Sequence, residues 1–582
     1  MKTSTVFDRR SFLKGALAAG AVTTMGAAGA ALTGCAPAQK GSVDSAADVS
    51  GDSMTAAGLD KAQWSFEVPP DPVAEGDIVQ TYEADVIVVG SGVAGFVAAA
   101  SALDHGGDVL LFSASTKPVS RGGSNNGVGT KVQKRLGVDY TPETITTHLK
   151  NELARSSYRV DQRKWWRWVN NSAESMDWLV DIVESAGYQA TLELPFEDPD
   201  GTFSVPASSH NFYGDGIANT ANEGQPLVMK ALEQFIKSKG GDIHYSTTGL
   251  YLVRDDDNTG RVSAIVATDP DGNHVKYAAR KAVVLATGDF SANKDMMARY
   301  CGNFADFVLP DLKANYDAEF QFGGLMPGDG HKMGLWAGAA WQRVQPCTPM
   351  IGWYGFPAPA SDQNHTGILL NRAGKRFMNE DTTAVYAGYA VQAQPGMSVF
   401  SVWSASYARQ FSSWEALGNN MDNLGIVPVG PEDKVAEWDA GVEEKTFFKA
   451  ESIEGVLNQM DGIDVEAARA EIERYNALAH AGVDEDFRKD ARYLAAIEEG
   501  PFYGAQSTMG SAQFLCVLGG LRTNELMQVC DEDDRPIEGL YNVGCMVGDS
   551  FANVYNFRIP GHNLGMNCIT HAYLTGKGLA SA

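Results

Sequence analysis

The chain has 582 residues, 46 Lys+Arg against 72 Asp+Glu, a formal charge of −26 and 44% hydrophobic residues. The length predicts more than one structural unit, since single cores stop growing at ~250–300 residues, and the apolar fraction excludes collagen-like, wholly disordered and polytopic membrane classes. The acidic balance argues against nucleic-acid binding, while the 62 glycines predict many tight turns around a ligand, and seven cysteines without CxxC or CxxCH leave no haem-attachment or four-cysteine metal motif.

The N-terminus reads as an address. Asp8-Arg9-Arg10-Ser11-Phe12-Leu13-Lys14 is a twin-arginine pattern, and the Ala/Gly/Val/Thr run Gly15–Ala31 is too weakly hydrophobic and too short for a stable membrane span. Leu32-Thr33-Gly34-Cys35 matches a bacterial lipoprotein cleavage box, which makes Cys35 the expected lipid anchor. The expectation is a signal peptide over 1–34, export of the folded protein by the twin-arginine route, and a lipoprotein on the outer face of the cytoplasmic membrane. Residues 35–81 are Ala/Ser/Asp/Pro-rich and aperiodic, and predict a tether.

Ala84–Val89 is a β-branched run suited to a strand buried on both faces. It leads into Gly90-Ser91-Gly92-Val93-Ala94-Gly95, a predicted helix over Phe96–His105, the pair Gly106-Gly107 and a second strand over Asp108–Phe112. A GxGxxG inside such a βαβ unit lets backbone N–H groups and a helix N-terminus approach a pyrophosphate, which assigns Gly90, Gly92 and Gly95 to cofactor binding. At the end of the second strand Ser113 stands where an acidic residue would bind a ribose, a weaker substitute for a carboxylate.

Four more segments follow: Arg121-Gly122-Gly123-Ser124-Asn125-Asn126-Gly127, Val283–Phe290 with its Ala286-Thr287-Gly288 turn, Gly328-Asp329-Gly330-His331-Lys332-Met333, and Gly539–Gly544. In this order and spacing the chain resembles the flavoprotein family of fumarate reductases, succinate dehydrogenases and 3-ketosteroid dehydrogenases. The resemblance implies an α/β fold, with a Rossmann-like FAD-binding domain interrupted by an inserted α+β capping domain. The expected parts are 82–345 and 497–582 for FAD and 346–496 for the cap. Implied cofactor contacts are Gly122, Gly123, Ser124, Asn126, Gly127, Ala286, Thr287, Gly288, Asp329, Gly544, Asn563 and Leu564, the last two after Gly561 at a helix N-terminus. Respiratory members carry a covalent flavin link on a His in the segment matching Arg121–Asn126; none stands here, so the implied FAD is non-covalent. Within the cap, Thr366–Glu380 reads as a hairpin turning at Ala373-Gly374, with a charged tip expected on the surface.

The resemblance also shows departures. Reducing an activated C=C needs flavin N5 facing one alkene carbon, a grip on the polarising group, and an acid for the other carbon. In fumarate reductases a cap Arg is the acid, and a His pair with another Arg grips the carboxylates. Here Ala384 follows Asn379-Glu380-Asp381-Thr382-Thr383 where that acid would stand, Cys347 and Cys516 take the two His positions, and Ala360 and Gln363 align with a Glu/Arg relay. Arg558 alone matches a substrate-binding arginine. Each charge-assisted bond contributes ~1.5–3 kcal/mol, so a tight dicarboxylate clamp is not expected.

Candidate replacement acids are Tyr386, Tyr389, Tyr555 and Tyr354. Ketosteroid dehydrogenases of the family use tyrosines, and a buried phenol near Arg558 would have a lowered pKa. Tyr386 and Tyr389, three apart, would share one helix face. Any one tyrosine reads first as a packed core ring, while the aromatic stretch Trp353–Phe356 suggests an apolar or aromatic substrate and is explained equally well by core packing. His562, beside the flavin turn, reads as a structural His before a ligand, and His210 and His365 are weaker candidates. Spacing pairs none of the cysteines into disulfides.

The leading expectation is an exported, lipid-anchored FAD oxidoreductase that saturates an enone or enoate of a non-dicarboxylate organic substrate. Its electrons would come from a separate cytochrome or quinol-linked donor. The alternatives are a 3-ketosteroid-type dehydrogenase, because one flavin serves both directions, and a non-catalytic flavin electron-relay lipoprotein.

Overall fold

The computed structural model describes residues 63–581, apart from 194, 198–203, 217–220, 303–313, 320–322, 324, 352–366, 383, 411–429, 510–513 and 556–558. Strand β1 (Ile78–Val89) begins six residues before its predicted start, and helix α1 (Val93–Asp104) begins at Gly92 as N-cap. Strand β2 (Val109–Phe112) follows. Helices α2 (Pro142–Arg155) and α3 (Gln162–Ser185) lead to β3 (Asp242–His244), β4 (Thr248–Arg254), β5 (Val262–Thr268) and β6 (His274–Leu285). Together with β12 (Gln528–Cys530) and β13 (Pro536–Asn542), these make an eight-stranded sheet in the order β12-β13-β6-β1-β2-β3, with β5 and β4 added beside β6. The pairs β1/β2, β1/β6, β6/β13 and β2/β3 are parallel.

The β-branched run explains the layering. Val86 and Val88 enter the core on the α1 side, Ile87 and Val89 the core on the opposite face, so both faces of β1 are covered. The expected tether is shorter than predicted. Phe66 is buried, Trp336 Nε1 donates to the Phe66 carbonyl at 2.9 Å, and the Phe66 and Tyr300 rings lie 5.6 Å apart. These contacts, with Val73 N donating to the Tyr251 hydroxyl at 2.8 Å, hold this segment on the domain.

Helix α4 (Asp329–Trp336) precedes β7 (Thr348–Ile351), α5 (Ala384–Gln392), β8 (Ser398–Ser404), β9 (Phe448–Ala450) and α6 (Val465–Ala481). Then come β10 (Phe502–Thr508), β11 (Phe514–Leu518), β12 (Gln528–Cys530), β13 (Pro536–Asn542) and α7 (His571–Ser581), the last entered through a π-helical turn over Leu564–Thr570. Strands β8-β10-β9 form a separate antiparallel sheet with its own core, which includes Trp403, Trp438, Tyr475 and Tyr503. Its central strand lies past the expected end of the cap at 496, because β8 and β9 pair only through β10. The β7/β11 ladder stands between this sheet and the large one in sequence.

The hairpin does turn at Ala373-Gly374, with the tip charges Arg372 and Lys375 exposed as expected, but Arg376 and Glu380 beyond the tip are buried. Arg376 donates to both Glu380 oxygens at 2.9 and 2.7 Å and to Asp484 at 3.3 and 3.0 Å. Lys489 donates to the Gly367 carbonyl and lies 3.7 Å from Glu380. Two carboxylates shielded from water require these cations, so Arg376→Met is expected to cost about 3–5 kcal/mol of stability, read by denaturant unfolding. A loss below about 1 kcal/mol would show that the network is solvated.

Among the described residues, burial holds five histidines below their ordinary range: His148 and His571 near 3, His210 and His331 near 4, and His562 well below. In the unfolded chain each takes a proton near ~6.5 that the folded state refuses until the pH is lower. Their contribution is full above pH ~6.5 and is lost as pH falls towards 4, by about 1.4 kcal/mol per histidine per pH unit. Unfolding free energy measured from pH 7.5 to 4.5 should therefore fall steeply below 6.5. A flat profile would contradict this burial.

Candidate active site

The carboxyl ends of β1, β6 and β13 face a cleft enclosing about 1160 Å³, its solvent-open mouth included. Ala286 N donates to the Val89 carbonyl at 2.9 Å and Gly90 N to the Phe112 carbonyl at 2.8 Å, which brings three parallel strands to one level. Gly90 sits at φ 117°, and a Cβ there would strike the Ala286 carbonyl, so only glycine fits. Gly92 caps α1 with no side-chain hydrogen bond, and a Cβ there would meet nothing within 4 Å. The first-turn N–H groups of α1 thus open onto the cleft, an anion-binding arrangement.

The hydroxyls of Ser91, Ser113 and Ser115 form a buried trio with separations of 3.0, 2.5 and 2.9 Å, where a carboxylate would otherwise stand. Further along, Gly330 N donates to Thr287 Oγ1 at 3.1 Å. Asp329 is held by Lys332 at 2.9 Å and by the Tyr316 hydroxyl at 2.6 Å. Asp289 accepts from Val517 N at 2.6 Å and from the Ser291 hydroxyl at 3.0 Å. Burial pushes its carboxyl up to about 6, against the opposing pull of Arg121. The Arg121 guanidinium donates to the Leu515 carbonyl. An uncapped helix N-terminus, a hydroxyl trio beside it and the cleft onto which both open fit a dinucleotide.

Ten predicted cofactor residues line this cleft: Gly90, Gly92, Ser113, Ala286, Thr287, Gly288, Asp329, Gly544, Asn563 and Leu564. The other six are not among its described lining residues. Gly95 faces the Gly90 carbonyl and serves helix–strand packing. Gly122 faces Leu564, and Gly123 accepts a hydrogen bond from the Asn125 amide on its carbonyl. Ser124 and Asn126 lie under Gly561 and Gly565, whose missing Cβ atoms let the C-terminal helix pass over their backbone. The Asn126 amide donates to Ser208 Oγ at 2.9 Å and the Pro560 carbonyl at 3.1 Å, and Gly127 packs against His210 and Ser172. Residues that sequence reasoning missed include Ser115, Arg121, Thr247, Met350, Cys545 and Cys568. Arg121 opens the segment Arg121–Gly127 but is not among the contacts which that segment implies; the others belong to no motif and reach the cleft only through the fold.

Of the catalytic candidates, Arg558 lies outside the described residues, as do Tyr354, His365, Ala360 and Gln363. Tyr386 and Tyr389 both fall on α5, as their spacing predicts, but they have different partners. Arg155 of α2 donates to the Tyr386 hydroxyl. Tyr389 donates to the Pro349 carbonyl at 3.0 Å, and Tyr555 accepts from Asn563 N at 3.3 Å. Burial pushes both of these phenols above their ordinary range, opposite to the lowering expected from the sequence. His562 meets His148 at 2.7 Å within a wall of Trp165, Trp168 and Phe551, and His210 meets Thr130 Oγ1 at 2.8 Å, so both are structural. Cys516 lines the cleft; Cys347 is buried and packs against Gly519.

A parallel sheet with this Gly-rich turn and cleft defines a dinucleotide-binding oxidoreductase. Residues 85–557 match the FAD binding domain family model, and the chain belongs to that family, with FAD as its cofactor. Residues 6–26 match the TAT (twin-arginine translocation) pathway signal sequence, which supports export by that route. The chain is 28% identical to vinyl phenol reductase of Lactiplantibacillus plantarum, over 85% of this chain and 94% of that protein. It is 27% identical to the fumarate reductase (cytochrome) of Shewanella frigidimarina, over 85% and 77%, and 26% identical to digoxin reductase of Eggerthella lenta, over 94% and 93%. Its fold is similar to that of 3-ketosteroid-Δ4-(5α)-dehydrogenase from Rhodococcus jostii, with a TM-score of 0.63 at 24% identity, covering 88% of this chain and 99% of that one.

Ser113→Ala removes one neutral hydrogen-bonding group from the trio. It should weaken FAD binding by about 0.5–1.5 kcal/mol, several-fold in Kd by flavin fluorescence titration. Unchanged affinity would take the trio away from the cofactor.

Proposed function

We propose that this protein reduces an activated C=C bond of a neutral, mono-acidic or bulky organic molecule, using electrons from a separate cytochrome or quinol-linked donor. The observation that carries the reading is the character of the cleft wall formed by β7 and β11. Met350, Leu515 and Cys516 line it, and Arg121 is the single cation among the described lining residues, with its guanidinium committed to a backbone carbonyl. Such a wall suits an apolar or polarisable substrate and gives a second carboxylate little to bind. Identities of 28% to a vinyl phenol reductase and 27% to a fumarate reductase are too close to choose between them, so the choice rests on these residues.

FAD, when bound, supplies the electron pair for the reduction. Arg558 is assigned to orient the polarising group. Tyr386 is the best-supported proton donor among the described tyrosines, because a guanidinium at its hydroxyl stabilises the phenolate that donation leaves behind. Tyr389 and Tyr555 are packing residues on this reading. No histidine stands in Arg121–Asn126 to link the flavin, so on this reading FAD is held non-covalently. Cys35 would carry the lipid anchor and keep the protein near its donor. A 3-oxosteroid 1-dehydrogenase of Mycolicibacterium smegmatis is 26% identical over 58% of this chain, which supports removal of vicinal hydrogens from a ring ketone as the second reading.

The test is oxidation of reduced viologen by the FAD-loaded protein with fumarate, cinnamates, urocanate and steroid enones. Turnover is expected with a mono-acidic or neutral substrate and not with fumarate; strong fumarate turnover would refute the reading. Arg558→Ala should abolish turnover and leave the flavin bound, and unchanged kinetics would remove Arg558 from the site.

A further inference from the structure

Three of the cysteines meet at the floor of the cofactor cleft. Cys516 on β11, Cys545 in the turn after β13, and Cys568 in the π-helical turn before α7 all line it. The Sγ atoms of Cys545 and Cys516 are 4.0 Å apart, and the Gly519 N–H donates to the Cys545 carbonyl at 2.9 Å, so the two segments are already tied side by side. The Asn563 amide donates to Cys545 Sγ at 3.4 Å and to Cys568 Sγ at 3.8 Å. No step of the proposed reduction uses any of these thiols.

We propose that Cys516 and Cys545 form an oxidisable dithiol, closed to a disulfide by a small two-electron oxidant of the azo or disulfide class. Two S–H bonds break and one S–S bond forms; the oxidant takes both electrons and both protons, as diamide does in becoming its hydrazine. The sulfurs need to approach by about 2 Å to reach bonding distance. Cys545 is the attacking sulfur. It is the one cysteine of the three that is only half-buried, and contact with Cys516 and Cys568, the Asn563 amide and the Arg121 charge holds its thiol well below the ordinary range. Its neighbours Cys516 and Cys568 are held well above it.

The export signal gives the pair a reason to matter. A protein carried out already folded leaves a reducing cytoplasm with its thiols intact and arrives where disulfides persist. Closing the bridge would fasten β11, which carries the substrate-side wall, to the turn that follows β13. Cys516 would also lose its 3.0 Å contact with Met350 Sδ.

The experiment treats the FAD-loaded full chain with diamide, alkylates it under denaturing conditions and maps the cysteines by mass spectrometry. The expected result is a Cys516–Cys545 cross-linked peptide, two fewer alkylated cysteines, and an altered visible flavin spectrum, all reversed by dithiothreitol. Cys568→Ser should keep the bridge, and Cys516→Ser and Cys545→Ser should each lose it. Full alkylation of the wild type after diamide would overturn the proposal, as would a bridge between other cysteines or a flavin spectrum indifferent to it. The bridge is scored by mass, so an error in the substrate assignment would not affect the outcome.

Discussion

Parallel pairing of β1 with β6 brings Val89 and Leu285 to the same level, and the chain must then turn away from both strands in very little space. The turn is possible only because Gly90 takes a left-handed conformation against the Ala286 carbonyl and Gly95 lies against the Gly90 carbonyl. From that close approach follow the exposed N-terminus of α1, the level at which β2 ends, and the position of the Ser91–Ser113–Ser115 hydroxyls. The C-terminal helix answers the same constraint at the far end of the chain. Gly561 and Gly565 allow it to cross the Ser124–Asn126 backbone, and it brings Asn563, Leu564 and Cys568 to the cleft.

The second core has a different basis. Trp403, Trp438 and Tyr503 pack across β8, β10 and the neighbouring helices, while Arg376, Glu380, Asp484 and Lys489 satisfy one another beside them. A buried set of four charges is poor evidence for net stability, since removing ions from water is costly. Its effect is positional: the guanidinium holds Glu380 just ahead of α5, the helix that carries Tyr386 and Tyr389. The segment before β8 is not sealed off from the large sheet either, because Leu369, Ala387 and Val391 belong to the core that holds Ile87 and Val283.

The described wall formed by β7 and β11 carries sulfur where the resemblance implies part of a diacid grip. Met350 and Cys516 approach to 3.0 Å on a wall where the resemblance places a histidine, and Arg121 is directed at a backbone carbonyl. This is why near-equal identity to reductases of different substrates does not fix the substrate here. The cofactor end is held by backbone geometry, and the substrate end by a few side chains that overall identity barely registers.

How much could be read without the fold differs between the two ends for the same reason. The βαβ unit, Gly90, Gly92, the Ala286–Gly288 turn, Gly544 and the export signal are local patterns in which a few adjacent residues dictate a backbone shape, and the sequence determined them. The hairpin turn at Ala373-Gly374 was legible in the same way. The burial of Arg376 was not, because its partner Asp484 lies more than a hundred residues away. Nor was the grouping of Cys516, Cys545 and Cys568, the structural role of Asn126 and Gly127, or the partnership of Arg155 with Tyr386. Each of these depends on which distant segments meet. Chain spacing carries no distance information across such separations, so only the packed tertiary structure could decide them.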